Sequence, residues 1–201
     1  MSNDFERLGI ETQYEVRQKG ESRSVAGYAS VFNSMSEDLG GFREIITPGA
    51  FRSVLDNKPD IRALINHDTG RVIGRTAAGT LSLEEDRTGL RFNVSLPPTP
   101  EGNALYTSIQ RGDISGASFG FRLDYEDYDV SFQGEELIRE IRNIAQLYEI
   151  SVVTFPAYRA TEVSARHAKH ILNKTHPGNH RSSVNALRIK LLNLQPSYGT
   201  K

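Results

Sequence analysis

Cysteine is absent from the 201 residues. That excludes disulfides, thiolate nucleophiles and cysteine-ligated zinc together. Long apolar runs are missing as well. A stretch such as Ile150 to Phe155 falls far short of the ~20 residues that cross a bilayer as a helix. The opening Met-Ser-Asn-Asp-Phe-Glu-Arg has no basic segment followed by an apolar one, so it does not read as a secretory signal. These absences predict work in a cytoplasmic type of compartment. No internal repeat is present. Histidine is sparse too: His67 is the only one before the last forty-odd residues.

What is present describes a globular chain, 37 % hydrophobic and 24 % charged. The length suits one domain with an additional tail. From Arg159 onward there are eight Lys or Arg against the single acid Glu162, a surplus of +7. Residues 1–158 therefore carry −8 of a net charge of −1. An acidic body and a basic tail imply two parts with different partners. The tail histidines His167, His170, His176 and His180 lie in a polar segment without cysteine or a clustered acid, which argues against a metal site. With an acidic body and no aromatic platform in the tail, specific nucleic-acid binding is also disfavoured.

Residues 1–12 read as a flexible lead-in. Short segments rich in Val, Tyr, Phe, Ile and Leu then recur: 13–17, 25–32, 61–65, 72–76, 81–83, 90–94, 117–123, 137–144 and 147–155. Thr69-Gly70 is the expected turn after 61–65. Two helices interrupt the strands. One follows Thr47-Pro48, with Thr47 as N-cap and Phe51, Val54 and Leu55 as its apolar face. The other follows Thr99-Pro100, with Leu105 and Ile109 inward and Arg111-Gly112-Asp113 at its end. Many short strands with a few short helices predict a mainly β fold, drawn into a closed or nearly closed β-barrel. The barrel domain is expected over 13–165, followed by a basic linker and a short C-terminal helix over 166–201.

From Ala117 to Leu123 the residues alternate. Ala117, Phe119, Phe121 and Leu123 fall on one face of a strand, and Ser118, Gly120 and Arg122 on the other. Gly116 and Gly120 leave room beside Ser118 for another backbone. A serine hydroxyl is a poor nucleophile without a base, and His67, at the end of an apolar strand, is a side chain that can take its proton near neutrality. Such a base needs a third group to hold its tautomer. Glu149, between Tyr148 and Ile150 in the most apolar strand, is the conspicuous acid, and a charge there needs solvent or a partner. Asp68 is the rival, awkwardly placed beside His67 in the chain, and spacing does not choose between them. Gly116-Ala117-Ser118-Phe119-Gly120 matches the letters of a hydrolase nucleophile elbow, but both flanks read as strand, which disfavours a small-ester hydrolase.

Taken in order, these segments resemble the prohead (capsid maturation) serine proteases of tailed bacteriophages, a family related to herpesvirus assemblin. The resemblance runs through Ala26-Gly27-Tyr28-Ala29-Ser30-Val31-Phe32 and Ile46-Thr47-Pro48-Gly49-Ala50-Phe51 to Asn66-His67-Asp68. It continues through Ser115-Gly116-Ala117-Ser118-Phe119-Gly120-Phe121 and from Tyr148-Glu149-Ile150 to Tyr158. It covers roughly residues 13–165. It implies a herpesvirus-protease-like barrel surrounded by helices, with Ser118 as nucleophile, His67 as general base and Glu149 as the group that orients the histidine. Ser115 is a nearby hydroxyl that does not match the motif. The resemblance implies no cofactor and no metal. Its implied partners are the major capsid protein with its scaffolding segment, or a separate scaffold protein, together with self-cleavage and self-association, and no membrane. The implied place of action is the assembling procapsid in the host cytoplasm. Oxyanion donors are sought among Gly116, Gly120 and the loop from Pro156 to Arg159. A non-catalytic assembly module built on the same barrel is the alternative.

Overall fold

The segments rich in β-branched and aromatic residues are strands in the computed structural model, which describes residues 5–39, 41–134 and 136–156. Among the described residues, twelve strands and two helices follow one another. They are β1 (Glu6–Glu11), β2 (Glu15–Lys19), β3 (Ser22–Val31), β4 (Phe42–Ile46), α1 (Arg52–Asp56), β5 (Arg62–Ile65) and β6 (Asp68–Arg75). Then come β7 (Leu81–Glu85), β8 (Gly89–Leu96), α2 (Pro100–Arg111), β9 (Gly116–Arg122), β10 (Tyr128–Gln133), β11 (Glu136–Ile141) and β12 (Gln146–Val153).

Pairing gives three sheets, ordered β1-β9-β12-β5-β6, β2-β3-β8-β7 and β10-β11-β4. The mainly β expectation stands. The closed barrel does not: among the described residues no ring of hydrogen-bonded strands is completed. The two larger sheets instead pack together, β3 against β9 and β1, and β6 against β8. The shared core includes Val25, Phe51, Phe92, Phe119, Phe121 and Ile150.

Helix α2 follows its sequence signals. Thr99 accepts a hydrogen bond from the Gly102 N–H, proline opens the first turn, and Gly112 closes the helix at φ +81°. Helix α1 departs from them. Thr47 does not cap it; its hydroxyl donates to the Ile141 carbonyl, and the helix begins at Arg52. The Glu85 carboxylate from β7 accepts the Gly49 and Phe51 N–H groups instead. A residue 34 positions away thus does the work expected of a local cap. The lead-in is also corrected. Glu6–Glu11 is strand β1, paired antiparallel to β9. The C-terminal linker and helix expected over 166–201 lie outside the described residues.

The core anchors the strand that matters most. Phe119 and Phe121 stack at 4.8 Å between centroids, and Phe51, just before α1, meets Phe119 edge-on at 5.5 Å. Each fully buried phenylalanine contributes roughly 2–3 kcal/mol. Because strand side chains alternate, the apolar face of β9 fixes where Ser118 points.

Candidate active site

Ser118 and Gly120 occupy the face of β9 opposite Phe119 and Phe121, as the alternation requires. Strand β12 lies beside it, pairing Ser151 with Ser118 and Glu149 with Gly120. This register depends on a bulge. Leu147 pairs with Phe121, yet the next β9 residue, Gly120, pairs with Glu149. Two residues of β12 therefore oppose one of β9, and the inward apolar residues are spaced by three, Leu147 to Ile150, before alternation resumes at Val152. Without the bulge Glu149 would face the aromatic core. With it, the carboxylate shares a face with Ser118.

His67 arrives from β5 through a two-residue turn. Ile65 pairs with Asp68, and Asn66 and His67 have φ of +51° and +57°. Positive φ at both central positions marks a type I′ hairpin, in which asparagine is favoured first and glycine is usual second. The expected turn at Thr69-Gly70 is therefore moved three residues back, and those two residues lie in β6. Histidine in the left-handed region is strained, and its surroundings hold it there. The Asn66 N–H donates to the Val152 carbonyl, and the Asn66 side chain accepts from the Thr154 N–H and donates to its hydroxyl. The His67 N–H donates to Ser151 Oγ at 3.2 Å.

The imidazole and the carboxylate meet inside the protein. His67 Nδ1 lies 2.6 Å from Glu149 Oε1, and both side chains are buried. Glu149 Oε2 accepts the Ser151 hydroxyl, also at 2.6 Å. A buried carboxylate needs such partners, and each of its oxygens has one. Donation of Nδ1–H to the carboxylate fixes the tautomer whose other nitrogen, Nε2, is basic. Asp68, the rival acid, is exposed, and its carboxylate accepts the Gly70 N–H. Ser115 is exposed and precedes β9. Ser118 is fully buried, and its hydroxyl donates to the Leu8 carbonyl at 2.8 Å.

Both glycines answer close approaches, as expected, but from this chain. A Cβ at Gly120 would lie 2.7 Å from Glu149 Oε1 and 2.5 Å from the Phe5 ring. One at Gly116 would lie 2.8 Å from Pro156 Cδ and from the Val153 carbonyl oxygen. The bare Cα of Gly120 is what lets the carboxylate cross towards His67. Of the Pro156 to Arg159 loop, 157–159 lie outside the described residues, as do all the tail histidines. Among the described residues no group of three or more His, Cys, Asp or Glu is gathered to hold a metal.

Sequence reasoning missed Ser151, which links His67 to Glu149. It also missed Asn66 and Thr154, which clamp the turn. The signal for Ser151 was present: in a strand it must share the face of Glu149, two residues before it.

The chain resembles known proteins in sequence and in fold. The family model described as "Caudovirus prohead serine protease" matches residues 12–174. A relative, the prohead protease of Enterobacteria phage HK97, is 35 % identical over 158 residues, which are 77 % of this chain and 65 % of that protein. The chain thus spans a little under two thirds of that relative's length. The solved structure of the bacteriophage T4 capsid assembly protease shares the fold, with a TM-score of 0.51 and 8 % identity over 74 % of this chain and 96 % of that one. The match across most of its length shows that the chain belongs to the caudovirus prohead serine protease family.

Proposed function

We propose that this protein is a serine endopeptidase that cuts the scaffold, or the scaffolding segment of the major capsid protein, during procapsid maturation, and that it also cuts itself. The observation that carries the reading is the buried 2.6 Å contact between His67 Nδ1 and Glu149 on the face of the sheet that bears Ser118. Ser118 is the nucleophile, His67 the general base and Glu149 the group that orients it. The family, the HK97 prohead protease and the T4 capsid assembly protease support the choice of substrate.

The mechanism follows from these roles. His67 Nε2 takes the Ser118 proton as Oγ bonds to the scissile carbonyl carbon. The C–N bond then breaks, and the proton passes from the imidazolium to the leaving amine, leaving an acyl-enzyme. Water attacks that ester as His67 takes its proton; the acyl carbon–Oγ bond then breaks, the imidazolium returns the proton to Ser118 Oγ, and the acid product leaves. Glu149 stabilises the imidazolium in both halves, and Ser151 holds the second carboxylate oxygen so that the first stays aimed at Nδ1. The catalytic unit is the domain over 13–165. Its kinship with the herpesvirus-protease barrel belongs to the same proposal, supported by the core that the two larger sheets share. Action takes place inside the assembling shell in the host cytoplasm.

The test is co-expression with the major capsid protein of the same phage, comparing wild type with Ser118→Ala by intact mass spectrometry. Wild type shortens the capsid protein and itself, and the variant leaves both full length. Persistent cleavage in the variant refutes Ser118. Shells that assemble uncut in both cases identify a non-catalytic assembly module.

A further inference from the structure

Ser118 has no exposed surface, and its hydroxyl proton points at the Leu8 carbonyl of β1. Strand β9 has neighbours on both sides, β12 on one and β1 on the other, with Gly9 directly opposite Ser118. An extended segment therefore has no place beside the nucleophile while β1 is paired. Strand β1 is the terminal strand of its sheet, so it can leave without opening any other strand pair. The family match begins at residue 12, so the whole of β1 lies before the matched region.

From these observations we propose that β1 is a built-in occupant of the substrate edge. It holds the enzyme at rest, and the segment to be cut replaces it as an antiparallel strand along β9. The inference rests on Ser118 being the nucleophile. While β1 is in place, the Ser118 proton is committed to a backbone carbonyl, and the edge that would grip a substrate backbone is filled.

The chemistry of the seat is written in what β1 presents to it. Glu6 meets Arg139 of β11 through both carboxylate oxygens, and Arg139 also holds Glu44 of β4. All three side chains are buried, and the Phe42 and Tyr128 rings face the guanidinium. Leu8 is buried. At Gly9 a Cβ would lie 1.7 Å from the Pro156 carbonyl oxygen, so only glycine fits. The edge thus takes an extended segment that carries an acid, then one free position, then an apolar residue, then glycine. Glu6-Arg7-Leu8-Gly9 is such a segment. Arg139 is the residue that selects the acid.

Two full-length variants unseat β1 without touching Ser118, His67 or Glu149. Gly9→Val drives a side chain into the Pro156 backbone, and Glu6→Gln removes the charge held by Arg139. The readouts are the rate of Ser118 labelling by a fluorophosphonate and the rate of cutting of the major capsid protein. A thermal melt of each variant confirms that it is folded, and Glu6→Gln carries the test if Gly9→Val does not fold. Both rates rise about tenfold or more in the variants, because the competent fraction is no longer limited by strand release. A synthetic peptide of residues 5–12, added in trans to the faster variant, slows labelling back towards wild type. The same peptide with valine in place of Gly9 does not.

If wild type cuts and labels while folded variants are no faster, or the peptide does not slow them, the resting-strand inference is overturned and the catalytic assignment stands. If no form labels or cuts, the assignment of Ser118 fails, and this inference fails with it.

Discussion

Replacing Glu149 by glutamine tests the site with one change of atom. Glu149 accepts hydrogen bonds at both oxygens, from His67 Nδ1 and from the Ser151 hydroxyl. Glutamine has only one acceptor oxygen, and its amide nitrogen donates. If the amide nitrogen faces His67, Nδ1 must become the acceptor. The proton then moves to Nε2, which in the proposed mechanism could no longer take the Ser118 proton. If the oxygen faces His67, the tautomer survives, but a neutral amide replaces the anion beside a developing imidazolium and the Ser151 hydroxyl loses its acceptor. Either arrangement costs transition-state stabilisation of about 3–5 kcal/mol, or roughly 10²- to 10⁴-fold in rate. In the proposed mechanism the loss falls on kcat, because there Glu149 works through His67 and not on bound substrate. One unsatisfied buried group lowers folding stability by about 1–3 kcal/mol, small enough to leave a folded enzyme for the assay. The measurement is cleavage of the capsid protein under single-turnover conditions, with fluorophosphonate labelling alongside. A folded Glu149→Gln variant within about threefold of wild type would refute the role given to Glu149.

Three further outcomes are expected. Gly120→Ala brings a Cβ within 3.0 Å of both the Glu149 carboxylate and the Phe5 ring, so the carboxylate shifts off His67. Activity falls by about 10-fold or more while the melting temperature changes little, and equal activity would show that the approach is not needed. Glu85→Ala strips the acceptor from two N–H groups ahead of α1 and lowers stability by about 1–3 kcal/mol in urea unfolding, with little effect on the chemistry of a folded enzyme. Glu44 is pushed up from 4.5 to about 7, by burial first and by repulsion from Glu6, against the pull of Arg139. Between those values the folded protein keeps a proton that the unfolded chain has released. Stability therefore falls as pH rises from about 4.5 to about 7, by up to about 3 kcal/mol, and is flat above that window with respect to this group. Glu44→Gln removes this slope, and an unchanged slope in urea titrations across that range would refute the assignment.

Local patterns determined a great deal about this protein. Period-two alternation in 117–123 is enough to put Ser118 opposite Phe119 and Phe121, because a strand has only two faces. Thr99, Pro100 and Gly112 are enough to bound α2, because a helix end leaves backbone groups that must be met nearby. Glu149 in an apolar strand announced a partner, because a buried charge without one is too costly. The tertiary structure alone decided the rest. The bulge at Leu147 to Glu149 turns the carboxylate to the serine's face, and a single-residue shift in register has no marker in propensity beyond a broken spacing. The turn falls at Asn66-His67 although Thr69-Gly70 offered stronger turn chemistry, because Val152 and Thr154, far along the chain, satisfy its backbone and side chain. Glu85 replaces Thr47 as the acceptor before α1 for the same reason: a distant carboxylate reaches N–H groups that the local hydroxyl does not. Strand β1 shows the limit most plainly. Its short polar sequence gives little reason to expect a strand, and it becomes one only because the edge of β9 offers a ladder of backbone partners and Arg139 offers Glu6 a buried counter-charge. Alternation and capping are read within a few residues. Register, edge occupancy and the partners of buried charge are settled between segments that meet only when the chain has folded.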